Sequence, residues 1–170
     1  MRPRLVVYSD SRYHWALHRC PKHEKKGHWG TRYDTKEITL APITWAYNEE
    51  ELTTARGVNV LVRVLLGKVA DEAKFDEIVR QVPIRWGQEG YERWTCKAWI
   101  REALERLAQG GVLCDGAVTE WERVHDRALE YVETKKAQHR FGGGPPGHCD
   151  GYRDDVVPTF DLMLDREIVP

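Results

Sequence analysis

Cys96, Trp99, Ile100, Ala103, Leu104 and Leu107 recur every three or four residues between Thr95 and Gly110-Gly111. That stripe constrains the fold more than any other feature of the chain. Such spacing makes one face of an α-helix apolar, so the helix needs a core to lie against. Thr95 is placed to cap its start and the glycine pair to end it. Arg101 with Glu105, and Glu102 with Arg106, form i,i+4 pairs on the wet side. Cys96 therefore occupies both the buried face and the first turn, where unpaired N–H groups and the macrodipole favour a thiolate. The competing reading is a small buried hydrophobe, a frequent fate of a free cysteine.

The rest of the chain supplies the core. Residues 5–8 and 13–18 read as two strands joined by the turn-prone Ser9-Asp10-Ser11. In the second strand Tyr13, Trp15 and Leu17 alternate with His14, Ala16 and His18, so His14 points away from the large residues. A basic loop covers residues 19–30. Residues 31–40 and 43–47 are strand-like on either side of Pro42, and 59–69 is a buried strand or a short helix. Asp71 caps a helix over 72–81 that Pro83 stops. Residues 86–94 form a loop into the cysteine helix. A second long helix spans 118–136, with Trp121, Val124, Ala128, Tyr131 and Val132 inward. The glycine- and proline-rich start of 141–155 makes a flexible loop, and 156–170 docks on the body. No internal repeat is visible. The expectation is one α+β domain over residues 1–170, an antiparallel sheet packed against the cysteine helix and a second long helix.

At 170 residues, 41% hydrophobic and 31% charged, the chain suits a soluble globular domain. No apolar run approaches the roughly 20 residues needed to span a bilayer. Met1-Arg2-Pro3-Arg4 leads into a strand and not a signal sequence. A cytoplasmic protein without a membrane partner is expected. Cys20, Cys96, Cys114 and Cys149 then read as free thiols. His18, Cys20, His23 and His28 match no standard zinc spacing, so neither metal nor cofactor is expected. Residues 1–36 hold nine basic and three acidic residues, net +6 in a chain of net −1. That asymmetry suits an anionic partner such as RNA or a phosphorylated substrate, or a solvated loop balanced elsewhere. The oligomeric state is not set by these features.

Cys96 can act as a thiolate nucleophile that forms an acyl-enzyme, with its own N–H in an oxyanion hole. His14 is the candidate general base, since histidine titrates near neutrality. Asp34, on the following strand, is the best-placed carboxylate to orient it. Its competing role is a surface salt bridge with Arg32 or Lys36. The turn 9–12 flanks the histidine and the loop 86–94 flanks the cysteine, which makes Asp10, Tyr13, Glu89 and Trp94 candidate substrate-binding residues.

Tyr13-His14-Trp15-Ala16-Leu17 resembles the His-Trp-Ala-Leu/Ile strand of the lecithin:retinol acyltransferase-like enzymes, and Thr95-Cys96-Lys97-Ala98-Trp99-Ile100 is similar to their Asn-Cys-x-x-Phe-Val motif. The resemblance implies a permuted papain-like fold, with the histidine strand ahead of the cysteine helix, His14 as base and Cys96 as nucleophile. That family's second histidine has no counterpart here, and Asp34 stands in its place. Its membrane-anchoring tail is likewise missing from the sequence, which argues against phospholipid substrates. Over nearly its whole length the chain is similar to small uncharacterised fungal proteins, through segments such as Leu61-Val62-Arg63-Val64 and Val157-Pro158-Thr159-Phe160. More distantly, the His-Trp-Ala-Leu strand and Cys-x-x-Trp helix resemble fungal arginine-containing cyclodipeptide synthases. That likeness implies an aminoacyl substrate, tRNA contact through residues 1–36, and an acid such as Asp10 or Glu89 for the arginine guanidinium. The expected function is therefore Cys–His acyl transfer, most specifically aminoacyl-tRNA-dependent cyclodipeptide synthesis. The alternatives are a thiol hydrolase of an ester or amide, and a papain-like scaffold that binds without catalysis.

Overall fold

The apolar stripe of the cysteine helix meets a seven-stranded sheet. The computed structural model describes residues 2–8, 13–21, 29–40, 43–52, 60–141 and 157–170. In chain order these form β1 (Arg2–Tyr8), β2 (His14–Cys20), β3 (Gly30–Leu40), β4 (Ile43–Leu52), β5 (Val60–Leu65), α1 (Glu72–Arg80), α2 (Cys96–Gln109), α3 (Trp121–Ala137), β6 (Thr159–Asp161) and β7 (Arg166–Val169). The strands lie in the order β4-β3-β2-β1-β5-β6-β7. The architecture is α+β.

The sheet is mixed, which corrects the antiparallel expectation. β6 runs parallel to β5, with Arg63 opposite Thr159, while the other neighbours are antiparallel. A parallel pair needs a long crossover, and the three helices between β5 and β6 provide it. The tail thus does more than dock. Arg63 N–H donates to Pro158 and Leu162 N–H donates to Leu65, stitching β6 onto the sheet.

α2 packs on β2, β3 and α1, and α3 packs on β5 and β1. All six stripe residues of α2 are buried. Arg101–Glu105 and Arg106–Glu102 form as the i,i+4 spacing requires, at 3.1 and 2.8 Å. Asp71 caps α1, accepting from Lys74 N–H at 3.0 Å. α3 starts at Trp121, three residues later than expected, because Val118 N–H is taken by the Leu66 carbonyl. The stretch 59–69 is a strand only over Val60–Leu65. Among the described residues no helix is long and apolar enough to cross a membrane.

The pairing of β2 with β3 positions the site. It covers Leu17↔Tyr33, His18↔Arg32 and Arg19↔Thr31 and stops short of His14. At its closed end Gly30, with φ +104°, comes so near β2 that a Cβ would lie 2.1 Å from the Arg19 carbonyl oxygen. Only glycine fits there. At the open end side chains bridge the two strands instead.

Candidate functional site

His14 opens β2, directly after Tyr13, whose φ of 51° is left-handed for a residue with a side chain. That kink costs about 1–2 kcal/mol and sets the direction in which the strand begins. Trp15 then enters the core, stacking on His125 at 5.2 Å and lying 5.8 Å from Trp121. His14 turns to β3, where its Nε2 lies 2.7 Å from Asp34 Oδ2. A carboxylate only accepts, so Nε2 carries the hydrogen. The Cys96 thiol lies near enough to the ring to act on its titration. Asp34, His14 and Cys96 therefore form one line from β3 through β2 to the first turn of α2.

The electrostatics follow from this line. Burial works against an imidazolium, but the hydrogen bonds and negative charge of Asp34 and Cys96 outweigh it and raise His14 to about 9. Asp34 is fully buried, which opposes its charge, yet His14, the nearby Arg32 and Asn48 together hold its carboxyl below the usual range. The pairing of Asp34 with Arg32 does form, but in the interior and not at the surface. Arg32 Nε is 3.9 Å away, and its Nη2 donates to Glu50 at 2.5 Å.

Cys96 is 8% exposed. Thr95 holds the N-cap position with extended backbone but makes no side-chain capping bond. The first i→i−4 bond of α2 is Trp99 N–H to the Thr95 carbonyl. The N–H groups of Cys96, Lys97 and Ala98 thus have no intrahelical acceptor. On the neighbouring positions of the same two strands, the indole nitrogen of Trp15 and the hydroxyl of Thr35 are buried with no hydrogen-bond partner among the described residues. Each such group costs about 1–3 kcal/mol until water or a ligand meets it.

The four substrate-binding expectations fare differently. Trp94 is 3% exposed and packs edge-on against Trp45 at 5.3 Å, facing the core. The hydroxyl of Tyr13 donates to Glu133 on α3 at 2.5 Å, so its polar end is engaged across the helix. Glu89 is exposed in the turn before α2. Asp10 lies outside the described residues, as do residues 22–28 of the basic loop. Of the cluster weighed for zinc, His18 and Cys20 are buried in β2, while His23 and His28 lie outside the described residues.

Asn48 on β4 is the member that sequence reasoning missed. It sits opposite Asp34 in the β3–β4 register, and its Nδ2 donates to Asp34 Oδ1 at 2.7 Å. Only a known register would have exposed it, because Asn48 opens the charged run Glu49-Glu50-Glu51, which reads as a loop.

Chemically, the arrangement offers a thiol, an imidazole that can give or take its proton, and unpaired N–H groups that can receive negative charge on a substrate oxygen. No curated protein and no solved structure matches the chain. A family model matches residues 3–169, and on that match the chain belongs to a family of unknown function, DUF6914.

Proposed function

We propose that this chain is a cysteine-dependent acyl-transfer enzyme on a permuted papain-like fold, with Cys96 as nucleophile, His14 as acid and base, and Asp34 orienting the imidazole. The observation that carries the reading is the 2.7 Å bond from Asp34 to His14, with Cys96 near enough to act on the same imidazole. The element order, histidine strand before cysteine helix, supports the permuted arrangement.

In thiol enzymes the sulfur attacks as thiolate while the histidine holds the proton. Here the Cys96 sulfur forms a bond to the carbonyl carbon, and the carbonyl π pair moves onto oxygen beside the free N–H groups of α2. Collapse of that oxyanion expels the leaving oxygen or nitrogen, which takes its proton from His14. A second nucleophile then gives a proton to His14 as it attacks the thioester, and the Cys96 sulfur departs.

If the second nucleophile is an amine, the enzyme is a transferase. Its most specific form is an aminoacyl-tRNA-dependent, arginine-containing cyclodipeptide synthase-like enzyme, supported by the motif resemblance and the net +6 of residues 1–36. Exposed Glu89 is available to a guanidinium. If the nucleophile is water, the same line serves a hydrolase. The proposed setting is the cytoplasm, where thiols such as Cys20, Cys96 and Cys114 stay reduced.

The test is intact-mass spectrometry after exposure to an activated acyl ester. One adduct on Cys96, absent in Cys96→Ala and slowed in His14→Ala, is expected. Slow, equal modification of all cysteines contradicts the enzyme and leaves a binding scaffold. Copurifying tRNA with salt-sensitive binding, and an arginyl adduct from arginyl-tRNA, select the transferase. An acyl-enzyme cleared by water without RNA binding selects the hydrolase.

A further inference from the structure

We infer that Asn48 is a positioning residue for the Asp34–His14 pair; the inference rests on the catalytic reading of His14 and Cys96 proposed above. Asp34 has two carboxylate oxygens and two different donors on them. Oδ2 meets His14 Nε2 and Oδ1 meets Asn48 Nδ2, each at 2.7 Å. Because a carboxylate cannot donate, the amide nitrogen of Asn48 must be the atom turned towards it.

The backbone makes Asn48 a rigid support. It lies directly opposite Asp34 in the antiparallel β3–β4 ladder, which runs from Gly30↔Leu52 to Leu40↔Ile43. β2 is held at His14 by its pairing with Tyr8 of β1, but its ladder to β3 ends at Leu17↔Tyr33, so it gives Asp34 no backbone support. The Asp34 carboxylate therefore takes its orientation from β4 and passes it to His14 on β2.

Arg32 makes that orientation consequential. Its Nε stands 3.9 Å from Oδ2, the same oxygen that His14 uses. With Oδ1 pinned by Asn48, the carboxylate plane keeps Oδ2 aimed at the imidazole. Without Asn48 the carboxylate is free to turn towards the guanidinium, which weakens its bond to His14 and with it part of the support for the imidazole proton. Among the described residues, Asp34 on β3, with Arg32 beside it, and Cys96 on α2 bear on this imidazole.

The experiment combines an NMR titration of the His14 ring with the rate of Cys96 acylation by an activated ester. Wild type, Asn48→Ala, Asn48→Thr and His14→Ala are compared, with circular dichroism as the fold check. Threonine suits a strand and is too short to hold the same bond. In a folded Asn48 variant the His14 midpoint is expected to fall by about half a pH unit or more. Acylation at pH 7 is expected to slow about tenfold. If Asn48→Ala does not fold, Asn48→Thr carries the test. A folded variant with wild-type titration and rate overturns the positioning role, while a slow His14→Ala keeps the catalytic reading. If instead His14→Ala reacts like wild type, the catalytic reading fails, and the His14 titration alone decides whether Asn48 positions the ring.

Discussion

Two charge networks in this molecule, each built on a buried charged side chain, Lys135 in one and Asp34 in the other, end differently. Where α3 meets β7, buried Lys135 forms an ion pair with Glu167, whose carboxylate also accepts from the Tyr131 hydroxyl at 2.5 Å. A cavity of about 240 Å³ lies beside them, lined also by Arg127 and Phe160. Burial, then the Glu167 carboxylate, push the Tyr131 hydroxyl far above its ordinary range, so its proton is locked in place. Where β3, β2 and α2 meet, a buried carboxylate likewise holds its partner's proton, but that partner is His14, which titrates near 9 and reaches Cys96. The first network closes on itself and fastens the C-terminal strand. The second ends on a thiol beside unpaired N–H groups. Buried charge by itself does not mark a site; the group on which the network ends does.

The contrast breaks most visibly at Cys96. Cys96→Ala is expected to remove the acyl adduct, a loss of at least about 10³-fold in acylation rate, with the unfolding midpoint nearly unchanged. Asp34→Asn, which keeps shape but not charge, should slow acylation about 100-fold and lower the His14 midpoint in an NMR titration. At the other network Lys135→Met should act on stability alone. We expect a loss of about 1–3 kcal/mol in a urea titration, below the range for a fully buried pair because Glu167 is 36% exposed. Acylation of Cys96 should not change.

The two networks also differ in pH response. His14 titrates near 9 in the fold against an ordinary 6.5. A raised pKa stabilises the protonated folded state, so its contribution is complete below about 6.5 and is lost as pH rises from there through about 9. Urea midpoints should therefore fall across that window in wild type and stay flatter in His14→Gln. The smallest effect is expected at an exposed pair outside both networks: Arg101→Ala breaks the bond to Glu105, with both side chains more than half exposed. That loss should be about 0.3 kcal/mol.

What the sequence made legible was local. The six apolar positions of α2 repeat with the helical period, and all six are buried as that period requires. Cys96, His14 and Asp34 could be named because each sits at a recognisable place on its own element. Asn48 could not, since it acts through cross-strand register and belongs to a polar, acidic stretch that hides the second half of β4. The strand persists there because its neighbours neutralise it: Arg80 pairs with Glu49 at 2.6 Å and Arg32 with Glu50. The direction of the Trp94 ring was not legible, because its place beside Cys96 in sequence says nothing about which way a ring turns, and Trp45 draws it inward. The parallel β6 escaped notice because three residues carry too little pattern to read.

On the proposed reading Cys96 is activated by its surroundings, and Cys114 supplies the internal control. Both are free; Cys96 is 8% exposed and Cys114 lies open to solvent. The decisive measurement is the ratio of their alkylation rates by iodoacetamide at pH 7, read by peptide mass spectrometry in wild type and His14→Ala. Activation predicts that buried Cys96 reacts faster than exposed Cys114 and loses that advantage when His14 is removed. Faster labelling of Cys114 in both proteins, with Cys96 indifferent to His14, would contradict the account.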